Sequence, residues 1–187
     1  MSHKFTAVFA TVILAATASS VGGATANSHR KLGQVSDQAE VAAITPLSMQ
    51  FFCAKNKTEC ETRGNSEVTM SPSLMLVLKQ VNESVNRAIR PERDTADVWE
   101  VNPTSGDCED YVLSKRSALI RLGVSGGALR IAYTHTRNGE PHAVLVVRTD
   151  DGDYVLDNLN NSIKTLPASG YNIRSMSSPN PTKWTAG

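Results

Sequence analysis

Apolar and polar positions divide the chain into a helical first part and a strand-rich second part. Apolar residues recur at helical spacing over residues 72–89, directly after Ser71, whose side chain suits a helix N-cap. A shorter helix is predicted after Thr45-Pro46, and another over residues 108–122, ending at Gly123.

The later segments alternate with the period of a β-strand. Strands are predicted at residues 128–133, 142–147, 154–157 and 171–174. Asp151-Gly152 has the composition of a two-residue hairpin turn. Helices first and strands afterwards predict an α+β fold, with an N-terminal helical lobe packed on a C-terminal antiparallel β-sheet.

Residues 1–26 have the pattern of a secretory signal peptide. Lys4 gives a positive start, residues 5–18 are apolar, and Ala24-Thr25-Ala26 is a small-residue cleavage site. We therefore expect a periplasmic or secreted protein with no membrane span after cleavage; an uncleaved anchor is the alternative. Residues 27–43 are predicted to be a flexible lead-in, and residues 44–187 a single domain.

Charge and cysteine content narrow the function classes. The chain of 187 residues has a net charge of +1 and no polybasic surface pattern, so a nucleic acid partner is not expected. Its three cysteines follow the signal peptide, and an odd number leaves at least one without an intramolecular partner. Cys53 and Cys60 are the natural pair, although a continuous helix would hold them about 10 Å apart. A disulfide that breaks the helix at residues 56–58 and two buried thiols are the alternatives.

The third cysteine, Cys108, lies in the first turn of a predicted helix. The helix terminus there favours a thiolate, which is the nucleophilic form of cysteine. Asp107, Glu109 and Asp110 have the opposite effect on the thiol pKa unless a base or a cation offsets their charge.

His142 and Asp157 are the candidate partners of Cys108, as general base and as orienting acceptor. With a turn at Asp151-Gly152 both face the same side of the hairpin, but they lie about 13 Å apart along the strands. A hairpin centred nearer Thr149-Asp150 would bring them together. The alternatives are a packed Cys108 thiol, a half-buried structural His142, and His135 as the base.

Residues 99–158 resemble the bacterial transglutaminase-like cysteine proteinases, a branch of the papain and transglutaminase superfamily. The motifs that carry the resemblance are Trp99, Pro103, Gly106-Asp107-Cys108-Glu109-Asp110-Tyr111, Lys115, Leu122-Gly123, His142-Ala143-Val144-Leu145 and Tyr154-Val155-Leu156-Asp157-Asn158. Phe52-Cys53, Cys60, Asn180 and Trp184 extend it over most of the chain from Pro46 onward. The resemblance implies a papain-like fold and a catalytic triad of Cys108, His142 and Asp157.

The best understood relative in that family is a periplasmic, calcium-requiring protease that cuts a biofilm adhesin and is restrained by an inner-membrane receptor. By this resemblance Asp107 and Glu109 bind calcium, the substrate is a cell-surface protein, and a regulatory receptor is a further partner. Carboxylates suit a hard cation, but two underfill a shell of about six to eight oxygens; helix capping is the alternative role.

The sequence therefore predicts an exported cysteine endopeptidase. A transglutaminase or amidase acting on glutamine side chains would keep the same site and change the acceptor. A calcium-responsive binding module would keep the fold with an unreactive Cys108.

Overall fold

Helices precede most of the strands, as the sequence predicts. The computed structural model describes residues 41–93 and 96–187; the predicted signal peptide and the lead-in up to residue 40 lie outside them. The helices are α1 (Leu47–Lys55), α2 (Pro72–Ala88), α3 (Cys108–Arg121) and α4 (Leu166–Ser169). The strands are β1 (Ala42–Ala43), β2 (Arg90–Pro91), β3 (Ser105–Gly106), β4 (Leu129–His135), β5 (Pro141–Thr149), β6 (Gly152–Leu156), β7 (Lys164–Thr165), β8 (Ser175–Ser177) and β9 (Trp184–Ala186). Within these ranges, no helix is long and apolar enough to cross a membrane.

Seven strands form one antiparallel sheet in the order β1-β9-β8-β4-β5-β6-β7. A separate parallel pair, β2 and β3, leads into α3. The α+β prediction is confirmed. Ala42–Ala43 already pairs with β9, so the sheet begins just before the domain start expected at residue 44.

Both faces of the sheet centre are buried, which positions β5 between two apolar layers. Alternate residues of β5 pack toward α2 and α3 or toward the segment around α4 and β8. α3 is itself enclosed: the residues from Asp110 to Ser117 are all buried, including Lys115 and Arg116. A helix covered on most sides needs no apolar stripe, so its sequence gives only a weak helical period.

The predicted hairpin forms, but the turn was placed one residue too late. The turn is Asp150-Asp151, because Thr149 pairs with Gly152. Gly152 adopts a φ of +105°, and the Thr149 hydroxyl accepts the Asp151 N–H at 3.2 Å. Moving the turn by one residue shifts the pairing by two positions and keeps every side chain on its predicted face. Asp157, which follows Leu156, therefore lies two positions closer to His142 than predicted.

One strand prediction fails, at the C-terminal end of the chain. The strand expected at residues 171–174 is wrong: the strand that pairs with β4 is Ser175–Ser177, and Arg174 precedes it with an N–H bond to the Tyr133 carbonyl at 2.8 Å. β1 and β9 were not predicted, because strands of two or three residues are too short to show a period. Trp184 anchors this edge by burial and by an indole N–H bond to the Pro181 carbonyl at 3.0 Å.

Cys53 and Cys60 form a disulfide, with their Cα atoms 5.5 Å apart. The pair comes together because α1 ends at Lys55 and the chain continues as a 3₁₀ turn, Lys57–Cys60. The loop is docked on α3, where Arg116 donates to the Glu59 carbonyl and Ser117 donates to the Glu59 carboxylate at 2.9 Å. The disulfide therefore closes a short loop against the helix that carries Cys108.

Replacing Cys53 and Cys60 together by alanine should lower the free energy of unfolding by about 2–3 kcal/mol, because the open loop gains entropy in the unfolded chain. Urea unfolding of the oxidised protein and the double variant measures the difference. Reducing the wild-type disulfide is the matched control and should give a similar loss. A change below about 0.5 kcal/mol would mean that the unfolded chain is not constrained by the bridge.

Candidate active site

Cys108 is the first residue of α3, with Asp107 as its N-cap. Asp110 anchors this start: one carboxylate oxygen accepts the Glu100 N–H at 2.8 Å and the other accepts the Asp107 N–H at 3.2 Å. Gly106 is required by this close approach, because a Cβ there would collide with the Asp110 carboxylate. The motif around the cysteine is thus explained by helix capping and close packing.

The Cys108 thiol is half-buried and hydrogen-bonded to an acid. It donates to the Glu109 carboxylate at 2.8 Å. Burial raises the pKa of the Cys108 thiol well above its usual value, the Glu109 carboxylate raises it further, and the Ala143 N–H lowers it. Burial and the neighbouring carboxylates of Glu109 and Asp107 therefore favour the protonated thiol in this arrangement.

His142 and Asp157 form a buried pair. The imidazole Nε2 lies 2.9 Å from Asp157 Oδ1, and the two residues are 4% and 7% exposed. Asp157 Oδ1 also accepts the Leu159 N–H at 2.9 Å, and Asn86 of α2 donates to the Asp157 carbonyl at 2.9 Å. Burial would raise the pKa of Asp157, but hydrogen bonds from His142, Tyr171 and Leu159 outweigh it and hold that pKa below its usual value.

The structure brings two of the three predicted triad residues into direct contact. In residues 41–93 and 96–187, no hydrogen bond joins Cys108 to His142. The backbone N–H of Ala143, the residue after His142, nonetheless acts on the Cys108 thiol and lowers its pKa. His135, the competing base, is exposed at the end of β4 and pairs in register with Pro141.

The acidic residues beside the thiol converge. Potential metal-ligating atoms of Asp107, Cys108 and Glu109 all lie within 4.8 Å of one another. The carboxylates of Asp107 and Glu109 fit calcium as the anionic part of its shell, which backbone or water oxygens would complete. Asp110 does not fit that role, because its two oxygens hold backbone N–H groups.

Two aromatic residues flank this cluster. Burial raises the pKa of Tyr133, the Glu109 carboxylate raises it further through its charge and a hydrogen bond, and the charge of Asp97 adds to the effect. Trp99 packs edge-on against Tyr133, and its indole N–H donates to Asp97 at 3.1 Å. Trp99 is thus a buried core residue here, with its N–H directed to Asp97.

A cleft of about 500 Å³ lies beside Asp157. Asp157 and Tyr171 contribute to its walls, together with Arg137 and Lys164, whereas Cys108 and His142 do not line it. The cleft therefore adjoins Asp157, and the thiol lies outside its walls.

Sequence reasoning missed several polar contacts of the site. Asn86 and Tyr171, which hold Asp157, come from a helix and a loop with no local signal for this role. Lys115 appeared only as a residue shared with a family. It is fully buried, 5.7 Å from the Tyr111 ring centroid, and in the described part of the chain its Nζ has no hydrogen-bond partner.

The sequence pattern of the bacterial transglutaminase-like cysteine proteinases matches residues 39–186. The chain belongs to this family. A proteinase of this family uses a cysteine for catalysis, so the geometry around Cys108 is that of a candidate active site. No curated protein sequence matches the chain.

Two solved structures of Legionella pneumophila LapG are similar to this proteinase. Calcium-bound LapG aligns with a TM-score of 0.51 at 25% identity, over 58% of this chain and 66% of LapG, just under two thirds of that chain. EGTA-treated LapG aligns with a TM-score of 0.53 at 20% identity, over 80% of this chain and 88% of LapG. The second alignment shows that the fold is shared across most of both chains.

The buried amine of Lys115 gives a pH-dependent prediction. Burial lowers the pKa of Lys115 to about 7, with Asp157 opposing that shift. In the unfolded chain the pKa of this lysine is about 10.4. The free energy of unfolding therefore decreases as the pH falls from about 10.4 to 7, because the folded protein disfavours the charged amine. Lys115→Met should therefore raise the free energy of unfolding at pH 6 by about 1–3 kcal/mol, with a smaller gain toward pH 10.

Urea unfolding at both pH values measures this effect. Lys79→Met is the matched control, because Lys79 is exposed on α2 and should show no such pH dependence. Destabilisation by Lys115→Met at pH 6 would contradict the account and would mean that the ammonium has a favourable partner.

Proposed function

We propose that this proteinase is an exported endopeptidase with Cys108 as nucleophile, His142 as general base and acid, and Asp157 as the group that orients the imidazole. The observation that carries the proposal is the buried hydrogen bond between His142 and Asp157. The bond lies near Cys108, because the backbone N–H of Ala143, the residue after His142, acts on the Cys108 thiol. Cys108 thus lies at the start of α3, His142 lies on β5, and Asp157 directly follows β6 of the same hairpin.

The assignment of roles follows from the two ring nitrogens of His142. Nε2 is bound to Asp157, so the carboxylate favours the tautomer with its proton on Nε2 and leaves Nδ1 to exchange a proton with the thiol. Cys108 would pass its proton to Nδ1, and the sulfur would form a bond to the carbonyl carbon of the peptide. The proposed oxyanion donor is the backbone N–H of Cys108, in the first turn of α3.

Two further steps complete the hydrolysis. The protonated imidazole gives its proton to the leaving amine as the C–N bond breaks, which leaves a thioester on Cys108. Water then adds to the thioester while His142 takes its proton, and the acid product leaves as the thiol is restored.

The hydrogen bond between the thiol and Glu109 opposes this chemistry. Asp107 and Glu109 are the proposed calcium ligands, and calcium held there would neutralise the carboxylate charge that raises the pKa of Cys108. The calcium-bound state of one LapG structure supports this proposal. Freed from Glu109, the thiol could turn to His142.

Export and the substrate class are part of the same proposal. The Cys53–Cys60 disulfide supports an oxidising compartment, in keeping with the predicted signal peptide and a periplasmic or secreted location. A protein substrate is what a proteinase family implies. We propose a cell-surface adhesin as that substrate and an inner-membrane receptor as a regulatory partner, on the strength of the family resemblance.

The proposed activity can be tested without knowing the substrate. The mature protein should cleave members of a proteome-derived peptide library in the presence of calcium, creating new termini that mass spectrometry identifies. Cleavage should fall at least about 10³-fold in Cys108→Ser and His142→Ala, because each removes a group that acts in the covalent step. His135→Ala is the matched control and should retain activity.

The transglutaminase or amidase alternative has a different readout in the same assay. Incorporation of a fluorescent primary amine into glutamine side chains, or their deamidation without new termini, would support it and overturn the endopeptidase proposal. If the protein neither cleaves peptides nor incorporates amines, and if Cys108 does not react with iodoacetamide, the results would support the binding-module alternative.

Glu109 gives a separate test of how the thiol is held. In calcium-free buffer at pH 7, Glu109→Gln should raise the rate of Cys108 alkylation by iodoacetamide about three- to tenfold, because less negative charge then opposes the thiolate. Calcium should accelerate alkylation of the wild type and have little effect on the variant. Isothermal titration with calcium alone should show weaker binding to the variant.

Glu100→Gln is the matched control, since Glu100 is exposed and touches Asp110 through its backbone N–H. An alkylation rate in Glu109→Gln equal to that of the wild type would contradict a role for Glu109 in suppressing the thiolate.

A further inference from the structure

We infer that Tyr171 is a positioning residue of the proposed site: its hydroxyl fixes Asp157, and through Asp157 the imidazole of His142. The Tyr171 hydroxyl donates to Asp157 Oδ2 at 2.6 Å. Its ring also packs against the imidazole, with ring centroids 5.7 Å apart. The inference rests on the function proposed above and adds a fourth side chain to it.

Each oxygen of Asp157 has a defined partner. Oδ1 receives His142 Nε2 and the Leu159 N–H, and Oδ2 receives the Tyr171 hydroxyl. A carboxylate held at one oxygen alone can rotate about its Cβ–Cγ bond, whereas bonds at both oxygens fix its plane. Tyr171 therefore determines the direction from which Asp157 meets the imidazole.

The loop that carries Tyr171 is built to hold the ring in place. Gly170 caps the C-terminus of α4 with a φ of +76°, and the Tyr171 N–H donates to the Ser169 hydroxyl at 3.1 Å. The ring joins the apolar layer beneath β5 and β6. The hydroxyl is thus delivered to Asp157 by a segment that lies outside α3 and outside the β5–β6 hairpin.

Several charged groups act on the Asp157–Tyr171 pair. The charge of Lys115, on α3, acts on Asp157, and that of Arg137 acts on Tyr171 from the turn between β4 and β5. His142 is the partner from β5. Burial raises the pKa of Tyr171, and the Asp157 carboxylate raises it further, so the phenol stays protonated as the donor.

Tyr171→Phe removes this donor and keeps the ring. The pKa of Asp157 should then rise, because one of the bonds that lower it is lost. Because the carboxylate plane is no longer fixed, the imidazole should be less well oriented toward the thiol. We therefore expect Cys108 alkylation by iodoacetamide in calcium to slow about tenfold at pH 7, with the acidic limb of its pH profile moved to higher pH. The Nε2–H proton of His142, followed by NMR, should exchange faster with water.

Tyr154→Phe is the matched control. Tyr154 also donates to an aspartate, Asp151, at 3.0 Å, but in the exposed hairpin turn. Tyr154→Phe should leave unchanged both the pH profile of Cys108 alkylation and the exchange rate of the His142 Nε2–H proton. A pH profile and an imidazole exchange rate in Tyr171→Phe equal to those of the wild type would overturn the inference.

The two proposals fail in different ways. If wild-type Cys108 titrates as an ordinary thiol, the proposed function fails. The exchange rate of the His142 Nε2–H proton in Tyr171→Phe still tests the role of Tyr171. If Tyr171→Phe does not fold, the phenol is titrated by ¹³C NMR in the wild type and in Asp157→Asn. Its pKa should fall in Asp157→Asn, because a neighbouring negative charge is gone; an unchanged value would overturn the inference.

Discussion

The register of the β5–β6 hairpin is the constraint on which the site depends. Pairing of Leu145 with Leu156 places Asp157 within reach of His142, and a slip of one residue would send one of the two to the opposite face. The register is secured by burial of both faces and by the Asp150-Asp151 turn. The polar pair at the end of the hairpin is thus a consequence of apolar packing along it.

The second element of the site is an electrostatic conflict at the start of α3. The helix terminus favours a thiolate, while burial and Glu109 favour the thiol. In our proposal calcium and His142 resolve it together: the cation offsets the charge of Glu109, and the imidazole takes the proton.

Local patterns predicted the parts of this fold that local patterns control. The position of Cys108 in the first turn of a helix, and of His142 on the same side as Asp157, follows from helix-terminus signals and from strand parity. The hairpin centre did not follow, because Gly152 suits a turn and also suits the strand position beside it. The role of Tyr171 and the burial of Lys115 depend on segments distant in sequence, so one chain without its fold gives no signal for them.

The most direct test of the account is the pH dependence of Cys108 alkylation in saturating calcium, compared between the wild type and His142→Ala. An activated Cys108–His142 pair predicts a wild-type rate midpoint well below the ordinary thiol pKa of about 8.5, and a midpoint near or above that value in the variant. Such a difference would establish an activated Cys108–His142 pair. A wild-type Cys108 that reacts only above about pH 8.5, with or without His142, would contradict it.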